Sequence, residues 1–485
     1  MILIQKRLKY PSWKIPFFFI NSIIIFIKLA NAGCLNLLIN KDFFSRKINI
    51  ILKSINFIFF RGDKKDIGNK LLVCLVNLGP GYIKFGQALS TRPDILGEKI
   101  CEHLRKLQDD IKPFSTILSK KIIEFESNEF IDEIFSSFTE VPIATASVAQ
   151  VHKGILKNGD KVAIKLLKPN IEEHLLRNFI FFYWISQTLE FFIPSLKRLK
   201  LSKNVEILSE ISFKELDLTM EAAAAEELAE NFKKHKKYKV PKIYWELTTK
   251  KMLVLEFIDG IRIDDISNLK KQNHNIDHIT EIGTEVFFLQ VFRDGFFHGD
   301  MHPGNILIDK NGSLVPIDFG IMGRLNNKDR QFLAMLLTYL INKNYKKVVE
   351  IHSEANMLEK YISHEHLAQA IRAISTPILN KPIGEVSLAK LLGQILSLSK
   401  EYNIEVQPQF TLLQKTMLMA EGTTRQINPK INMWDLSGPL IDKWINDTHD
   451  PFKVLEEWFH QNKLVLLKIP ELINKFEHIL NKKMK

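Results

Sequence analysis

In His298-Gly299-Asp300-Met301-His302-Pro303-Gly304-Asn305 an aspartate stands five residues before an asparagine, and in Ile317-Asp318-Phe319-Gly320 a second aspartate follows thirteen residues later. Phosphoryl transfer needs this kind of set. Negative charge spreads over the transferred group, so metal ions must neutralise it while a carboxylate orients the nucleophile. On this reading Asp300 is the catalytic base or orienting group, and Asn305 and Asp318 hold Mg2+ between the phosphates of ATP. His, Asp and Asn also gather in turns as local hydrogen bonders, and any one of these residues alone would say no more than that. The spacing of the whole set, with Asp-Phe-Gly behind a strand-like run, is that of a kinase catalytic loop.

A lysine upstream completes the expectation. Val162-Ala163-Ile164-Lys165 ends a β-branched run after Asn158-Gly159, and it stands where a kinase third-strand lysine holds the α- and β-phosphates. Such a lysine needs a carboxylate from the following helix, and Glu215, Asp217 and Glu221 are on offer, although a solvated helix face would also carry acids. A phosphate-cradling loop should precede the lysine, yet no G-x-G-x-x-G occurs. The chain instead reads Pro142-Ile143-Ala144-Thr145-Ala146-Ser147-Val148-Ala149-Gln150. Alanines still let the backbone approach a phosphate, with Ser147 and backbone amides as donors, in a loop stiffer than a glycine one.

The elements that must position these groups follow from periodicity. Residues 66–130 show apolar spacing of three to four and are expected to be helical. Between 141 and 168 the pattern becomes a hairpin around Asn158-Gly159. A helical stretch over about 172–235, a strand over 251–258, helices over about 275–295, short strands to 320 and a helical remainder complete the chain. This gives a basic, apolar segment at 1–65, a helical extension at 66–140, an N-lobe at 141–260 and a mainly helical C-lobe at 261–485. The fold class is α+β and bilobal. A helix is expected within about eight residues of Asp318-Phe319-Gly320, and no Ala-Pro-Glu follows, so the chain has no room for the usual activation loop and peptide platform.

Composition narrows the partners. At 46% hydrophobic and 25% charged, the 485 residues are globular in character. Of the net charge of +12, residues 1–65 contribute +10, through twelve Lys/Arg against Asp42 and Asp63. Charge confined to one end suggests an anionic membrane or a docking arm rather than nucleic acid. The apolar run Ile15–Ile27, flanked by Lys6, Arg7, Lys9, Lys14 and Lys28, is too short to span a bilayer and suits an interfacial helix. An export signal ending at Ala30-Asn31-Ala32 fits less well, because Lys28 interrupts it and ATP chemistry needs a compartment containing ATP. In 451–485, Lys468 and Pro470 break the apolar run. Cys34, Cys74 and Cys101 form neither a disulfide framework nor a zinc pattern.

These motifs resemble the UbiB family of atypical protein kinase-like proteins. The family's K-x-G-Q-x-x-S-x-R-x-D signature stands here as Lys84-Phe85-Gly86-Gln87-Ala88-Leu89-Ser90-Thr91-Arg92-Pro93-Asp94, its alanine loop as Ala144-Thr145-Ala146-Ser147, and its E-x-D pattern with a second glutamate as Glu215, Asp217 and Glu221. The resemblance implies an atypical kinase-like fold whose N-terminal helical extension covers the nucleotide cleft, with Lys84 and Gln87 meeting Glu215 and Asp217 and with Glu221 paired to Lys165. It further implies an ATP- and Mg2+-dependent kinase or ATPase that supports ubiquinone biosynthesis from the cytoplasmic side of a bacterial inner membrane, together with other ubiquinone-biosynthesis proteins; many bacterial members carry hydrophobic helices at the extreme C-terminus, whereas here contact with lipids is expected to be peripheral and to use the basic N-terminal region. Two other readings stay open. One is a small-molecule phosphotransferase, since similar loops occur in aminoglycoside and choline kinase-like enzymes. The other is a nucleotide-gated protein that binds prenylated quinone precursors and phosphorylates nothing.

Overall fold

The computed structural model describes residues 7–429 apart from positions 9, 11–14, 38, 40–45, 60–66, 91–95, 109–112, 356, 359–360, 381–386, 403 and 405–406. Lys6, Lys9, Lys14, Arg92, Asp94 and the 451–485 segment therefore lie outside the described residues. The chain divides into two compact units, one of Met1–Glu226 with Pro241–Phe257, the other of Glu227–Val240 with Ile258–Lys485.

The first unit begins with helices Ile15–Asn31 (α1), Arg46–Phe59 (α2), Ile67–Leu78 (α3), Pro80–Ser90 (α4), Glu98–Arg105 (α5), Thr116–Ser127 (α6) and the single turn Ile131–Ile134 (α7). The continuous apolar pattern over 66–90 breaks into α3 and α4 at Gly79-Pro80. Proline has no N–H to give to the preceding turn and is at home as the first residue of the next helix. A five-stranded antiparallel sheet follows, built from Phe135–Phe138 (β1), Ala144–Thr145 (β2), Ala149–Leu156 (β3), Lys161–Leu167 (β4) and Met252–Glu256 (β5), in the order β1-β3-β4-β5 with β2 paired to β3. The turn predicted at Asn158-Gly159 joins β3 to β4, and Gly159 takes φ 90, where a side chain would be strained. The helical stretch expected over about 172–235 divides into three helices: Ile171–Phe192 (α8), Leu201–Lys214 (α9) and Leu218–Asn231 (α10). Pro194 opens a short 3-10 turn, and Lys200, with φ 47, reverses the chain between α8 and α9.

Alternation on β4 decides what each face of this sheet meets. Val162, Ile164 and Leu166 point into a cluster with Ile123 of α6, Phe135, Tyr244, Met252 and Val254. The residues between them face the other way. Ala163, Leu253 and Leu255 join a second cluster with Leu71, Leu75, Tyr82, Leu175, Phe179 and Ala222, so α3, α4 and α8 cover the face that carries Lys165. Helix α1 joins that cluster along one line only. Phe18 is buried against Tyr10, Phe181 and Trp184, with ring centroids 5.6, 6.1 and 5.6 Å away. Phe17, Phe19, Ile20, Ile23 and Ile24 stay exposed. Among the described residues no helix is long and apolar enough to cross a membrane.

The second unit carries Gly260–Arg262 (β6), Ile266–Lys271 (α11), Ile276–Phe288 (α12), Phe296–His298 (β7), Ile306–Asp309 (β8), Leu314–Pro316 (β9) and Met322–Arg324 (β10). Helices Asn327–Ile341 (α13), Tyr345–Glu354 (α14), His364–Leu379 (α15), Leu388–Glu401 (α16) and Pro408–Ile427 (α17) follow. Two small antiparallel sheets, β6-β8-β9 and β10-β7, hold the candidate loop between strand ends. Helix α12 finishes in a π-turn over Leu289–Asp294, and the fully buried Gln290 at that turn accepts the His298 N–H at 2.8 Å and donates to the Tyr238 hydroxyl at 3.1 Å.

Burial sets the expected response of the first unit to truncation. Ile164→Ala empties a fully buried site and should lower unfolding free energy by about 2–5 kcal/mol, whereas Phe57→Ala, at 86% exposure, should change it by less than about 0.5 kcal/mol. Urea unfolding midpoints of the two variants measure the contrast, and equal midpoints would contradict the assignment of the core.

Candidate functional site

In the first unit the lysine strand is placed by register. Lys165 stands opposite Val151 on one neighbour and Leu253 on the other, which points its side chain away from the Ile164 core. Its Nζ lies 2.7 and 2.9 Å from the two carboxylate oxygens of Glu221, in the first turn of α10. Glu221 is buried. A buried charge persists when a partner and hydrogen bonds replace its water, and both are present here.

A second cation from the helical extension meets the same acidic segment. Lys84 of α4 forms a short ion pair with Glu215, which lies at the end of α9. Gly86 on the same helix lets α4 pack closely on α3 and on Leu107, because a Cβ there would lie 2.5 Å from Leu107 and 2.7 Å from Leu75. Gln87 and Asp217 depart from the expected contacts. The Gln87 amide donates to the Leu107 carbonyl at 3.2 Å, and Asp217 accepts from the Thr219 backbone N–H at 3.2 Å and from its hydroxyl at 2.5 Å. Asp217 thus caps the start of α10, and so fixes the helix that bears Glu221.

The alanine-rich stretch is a hairpin. Ala144 and Thr145 pair with Val151 and Gln150, and the Ala146 N–H donates to the Ala149 carbonyl at 2.8 Å. Pro142 and Ile143 lead in, with the Ile143 N–H bonded to Val151 at 2.8 Å, while Ser147, Val148 and Ala149 at its tip are buried. Gln150 differs from the role expected of it. Its side chain is fully buried and its amide nitrogen donates to Ser119 Oγ at 2.8 Å and to His152 Nε2 at 2.9 Å, while its oxygen accepts from the Phe114 N–H at 3.0 Å. Its place just before the lysine strand put it in the expected phosphate loop but could not show that it faces α6.

In the second unit the catalytic-loop residues converge on one histidine. His298 Nδ1 accepts the Asp300 N–H at 3.1 Å and its Nε2 contacts the Asp318 carbonyl at 2.5 Å. A carbonyl can only accept, so the ring is the neutral Nε2–H tautomer and ties the Asp300 loop to the Asp-Phe-Gly segment. Asn305 donates to the Asp300 carbonyl at 3.2 Å and stands 3.5 Å from its carboxylate, and Asp318 accepts the Gly320 N–H at 3.0 Å. After Gly320 the chain enters β10, paired with β7, which the sequence had not announced, and then α13 from Asn327, the helix expected within about eight residues. Two contributors were not legible beforehand. Lys415 and Thr416 of α17 reach this loop, with Lys415 Nζ 3.7 Å from Asp300 and Thr416 Oγ1 donating to the Gly299 carbonyl at 3.1 Å. Nothing in a Gln-Lys-Thr on a helical pattern signals a contact more than a hundred residues away.

A sheet lysine held by a helix glutamate, together with an Asp-Asn loop followed by Asp-Phe-Gly, defines the protein kinase-like class within mixed helix-and-sheet folds. Comparison with known proteins gives the family. The ABC1 atypical kinase-like domain matches residues 106–352, and the UbiB helical domain matches residues 371–432. The chain is similar to the probable protein kinase UbiB of Shewanella denitrificans, 36% identical over 423 residues that cover 86% of this chain and 77% of that one. It is likewise 36% identical to the Sodalis glossinidius protein of the same name over 410 residues, covering 84% and 75%. A solved chain described as the complex structure of Rv3197-erythromycin from Mycobacterium tuberculosis is 23% identical, with a TM-score of 0.48, and covers 81% of this chain and 97% of its own. The protein belongs to the UbiB family of ABC1 atypical kinase-like proteins.

Burial lowers the proton affinity of His298 below the ordinary histidine value of 6.5, against the opposing pull of Asp318 and Asp300. His152 and His352 are lowered by burial in the same way. The unfolded chain then binds more protons below that value, so this stability is complete above 6.5 and is lost as pH falls through it towards the lower folded values. Unfolding free energy should therefore decrease between about pH 7.5 and about pH 5.5, with a smaller decrease for His298→Gln. Identical pH dependence in the two proteins would exclude His298 as a contributor.

Proposed function

We propose that this protein is an ATP- and Mg2+-dependent phosphotransferase or ATPase that supports ubiquinone biosynthesis at the bacterial inner membrane, from the cytoplasmic side and by peripheral attachment. The observation that supports the reading is that, in a member of this family, Lys165 is paired with Glu221 in the first unit while Asp300, Asn305 and Asp318 gather around His298 in the second. Lys165, oriented by Glu221, would hold the α- and β-phosphates, with the Ala144–Ser147 hairpin presenting backbone to them. Asp300 would orient the attacking oxygen and accept its proton.

The donors in the second unit fit Mg2+. Asn305 and Asp318 offer hard oxygen ligands, and no group of three or more His, Cys, Asp or Glu gathers into a protein-only metal cage among the described residues. Mg2+ is commonly bound by one or two protein oxygens, with waters and substrate phosphates completing its shell. When bound, it would neutralise charge on those phosphates. The relatives named probable protein kinase UbiB support the class of activity. The strand and helix that follow Asp-Phe-Gly leave little room for a peptide platform, which favours a small or membrane-borne acceptor, or water.

Membrane lipid is the proposed surface partner, and prenylated quinone precursors and other ubiquinone-biosynthesis proteins are the partners that would follow from it. Helix α1 supports this reading, because it packs along Phe18 and leaves Phe17, Phe19, Ile20 and Ile23 exposed beside the exposed Lys28. An interfacial helix presents such a face to an anionic bilayer.

Three measurements test these readings. Phosphate release from ATP with Mg2+ and anionic vesicles should fall at least about a hundredfold in Asp318→Asn. Equal hydrolysis by variant and wild type would sink the phosphotransferase reading, and quinone profiles of a deletion strain complemented with each protein test the biological role. Replacing Phe17, Phe19, Ile20 and Ile23 together with serine should reduce co-sedimentation with anionic vesicles while melting temperature holds, because Phe18 keeps its place in the core. Unchanged sedimentation would remove α1 from the membrane proposal.

A further inference from the structure

Asp300 has a carboxylate oxygen that the loop itself leaves unused. Oδ1 is buried and receives no hydrogen bond, whereas Oδ2 has the Asn305 amide 3.5 Å away. The charged group beside Oδ1 is Lys415, whose Nζ lies 3.7 Å from it. That lysine comes from α17, within the stretch that matches the UbiB helical domain and beyond the match to the kinase-like domain.

The position of α17 is fixed by contacts on the residue next to Asp300. Thr416, fully buried, donates its hydroxyl to the Gly299 carbonyl at 3.1 Å, and Leu412 packs so near Gly299 that a Cβ there would lie 3.2 Å from it. Farther along, buried Glu421 accepts from the Ser387 hydroxyl and from the Ala389 N–H at 3.2 Å, which ties α17 to the start of α16. A helix held at both places delivers Lys415 to Asp300 by construction. The Lys415 side chain is 39% exposed, so its ammonium can shift while its stem stays in place.

We propose that Lys415 is a positioning residue for Asp300, and that the helical domain completes the catalytic loop by supplying it. The inference rests on the phosphotransferase reading. Without a cation on Oδ1 the carboxylate can rotate about its last bond, and Asn305 alone, through one long contact, does not fix it. With Lys415 in place, Oδ1 is held and Oδ2 is turned to the incoming hydroxyl. As transfer proceeds, the γ-phosphorus bond to the bridging oxygen of ADP breaks, the bond to the acceptor oxygen forms, and the acceptor proton moves to Asp300. Lys415 keeps its own proton throughout, and as Asp300 becomes neutral its positive charge is left facing the loop where anionic phosphate is handled.

The test uses the full chain with ATP, Mg2+ and anionic vesicles. Lys415→Met should lower kcat by roughly tenfold to hundredfold with little change in the KM for ATP, and Lys415→Arg should retain most activity. Ethylammonium added to Lys415→Ala should restore part of the rate, which a purely packing role would not allow. Wild-type turnover by Lys415→Met, alongside an inactive Asp318→Asn, would overturn the inference and leave the phosphotransferase reading intact; so would a loss that neither arginine nor ethylammonium repairs. If Asp318→Asn matches wild type, the reading itself falls. A thermal double-mutant cycle of Asp300→Asn and Lys415→Met then decides whether the pair interacts, non-additive shifts supporting the contact and additive ones removing it. If Lys415→Met fails to fold, Lys415→Gln takes its place in each comparison.

Discussion

A lysine drawn out of water inside a sheet persists only where a carboxylate meets it, and the Lys165–Glu221 pair imposes that condition on the first unit. Both Glu221 oxygens lie within 2.9 Å of the ammonium, so α10 must start where it does, and Asp217 caps it there. The face that bears Lys165 has to be covered by something that tolerates charge at one place and is apolar elsewhere. The cluster from α3, α4 and α8 meets that demand, and Lys84 adds a second ion pair to Glu215 beside it. Removing one member of such a pair is more damaging than the pair is stabilising, because the remaining charge keeps the burial without the partner.

The second unit uses neutrality instead of charge. His298 is buried and uncharged, and its two nitrogens are read by two backbone groups of opposite kind, the Asp300 N–H and the Asp318 carbonyl. A single tautomer satisfies both. The catalytic loop and the Asp-Phe-Gly segment are thereby locked together, and Gln290 at the π-turn anchors His298 from behind. Irregular helix geometry of this kind recurs at functional sites because it turns a side chain that a regular helix would direct elsewhere.

Much of this was legible in the chain. The Asp300–Asn305–Asp318 spacing, the strand ending at Lys165, the Asn158-Gly159 turn and the early helix after Gly320 are local patterns, and local geometry executes them. What was hidden had nonlocal causes. Gln150 sits in a loop-like run but is claimed by Ser119 and His152, Gln87 bonds to Leu107 instead of the acidic segment, and the helical pattern over 172–235 breaks at Pro194 and at Asp217.

The sequence by itself determined the residue types and order that phosphoryl chemistry requires, since charge, period and spacing are properties of the chain. It also determined that the N-terminal apolar run is shorter than a bilayer. The family pattern already pointed to Glu221 as the partner of Lys165, but only the tertiary structure decided that both its carboxylate oxygens reach the ammonium, and that Phe18 faces inward while Phe17 and Phe19 face outward. It also decided that a lysine on α17 stands 3.7 Å from Asp300. Each of these depends on elements distant in sequence being packed together, and side-chain period fixes a face without naming the neighbour that will cover it.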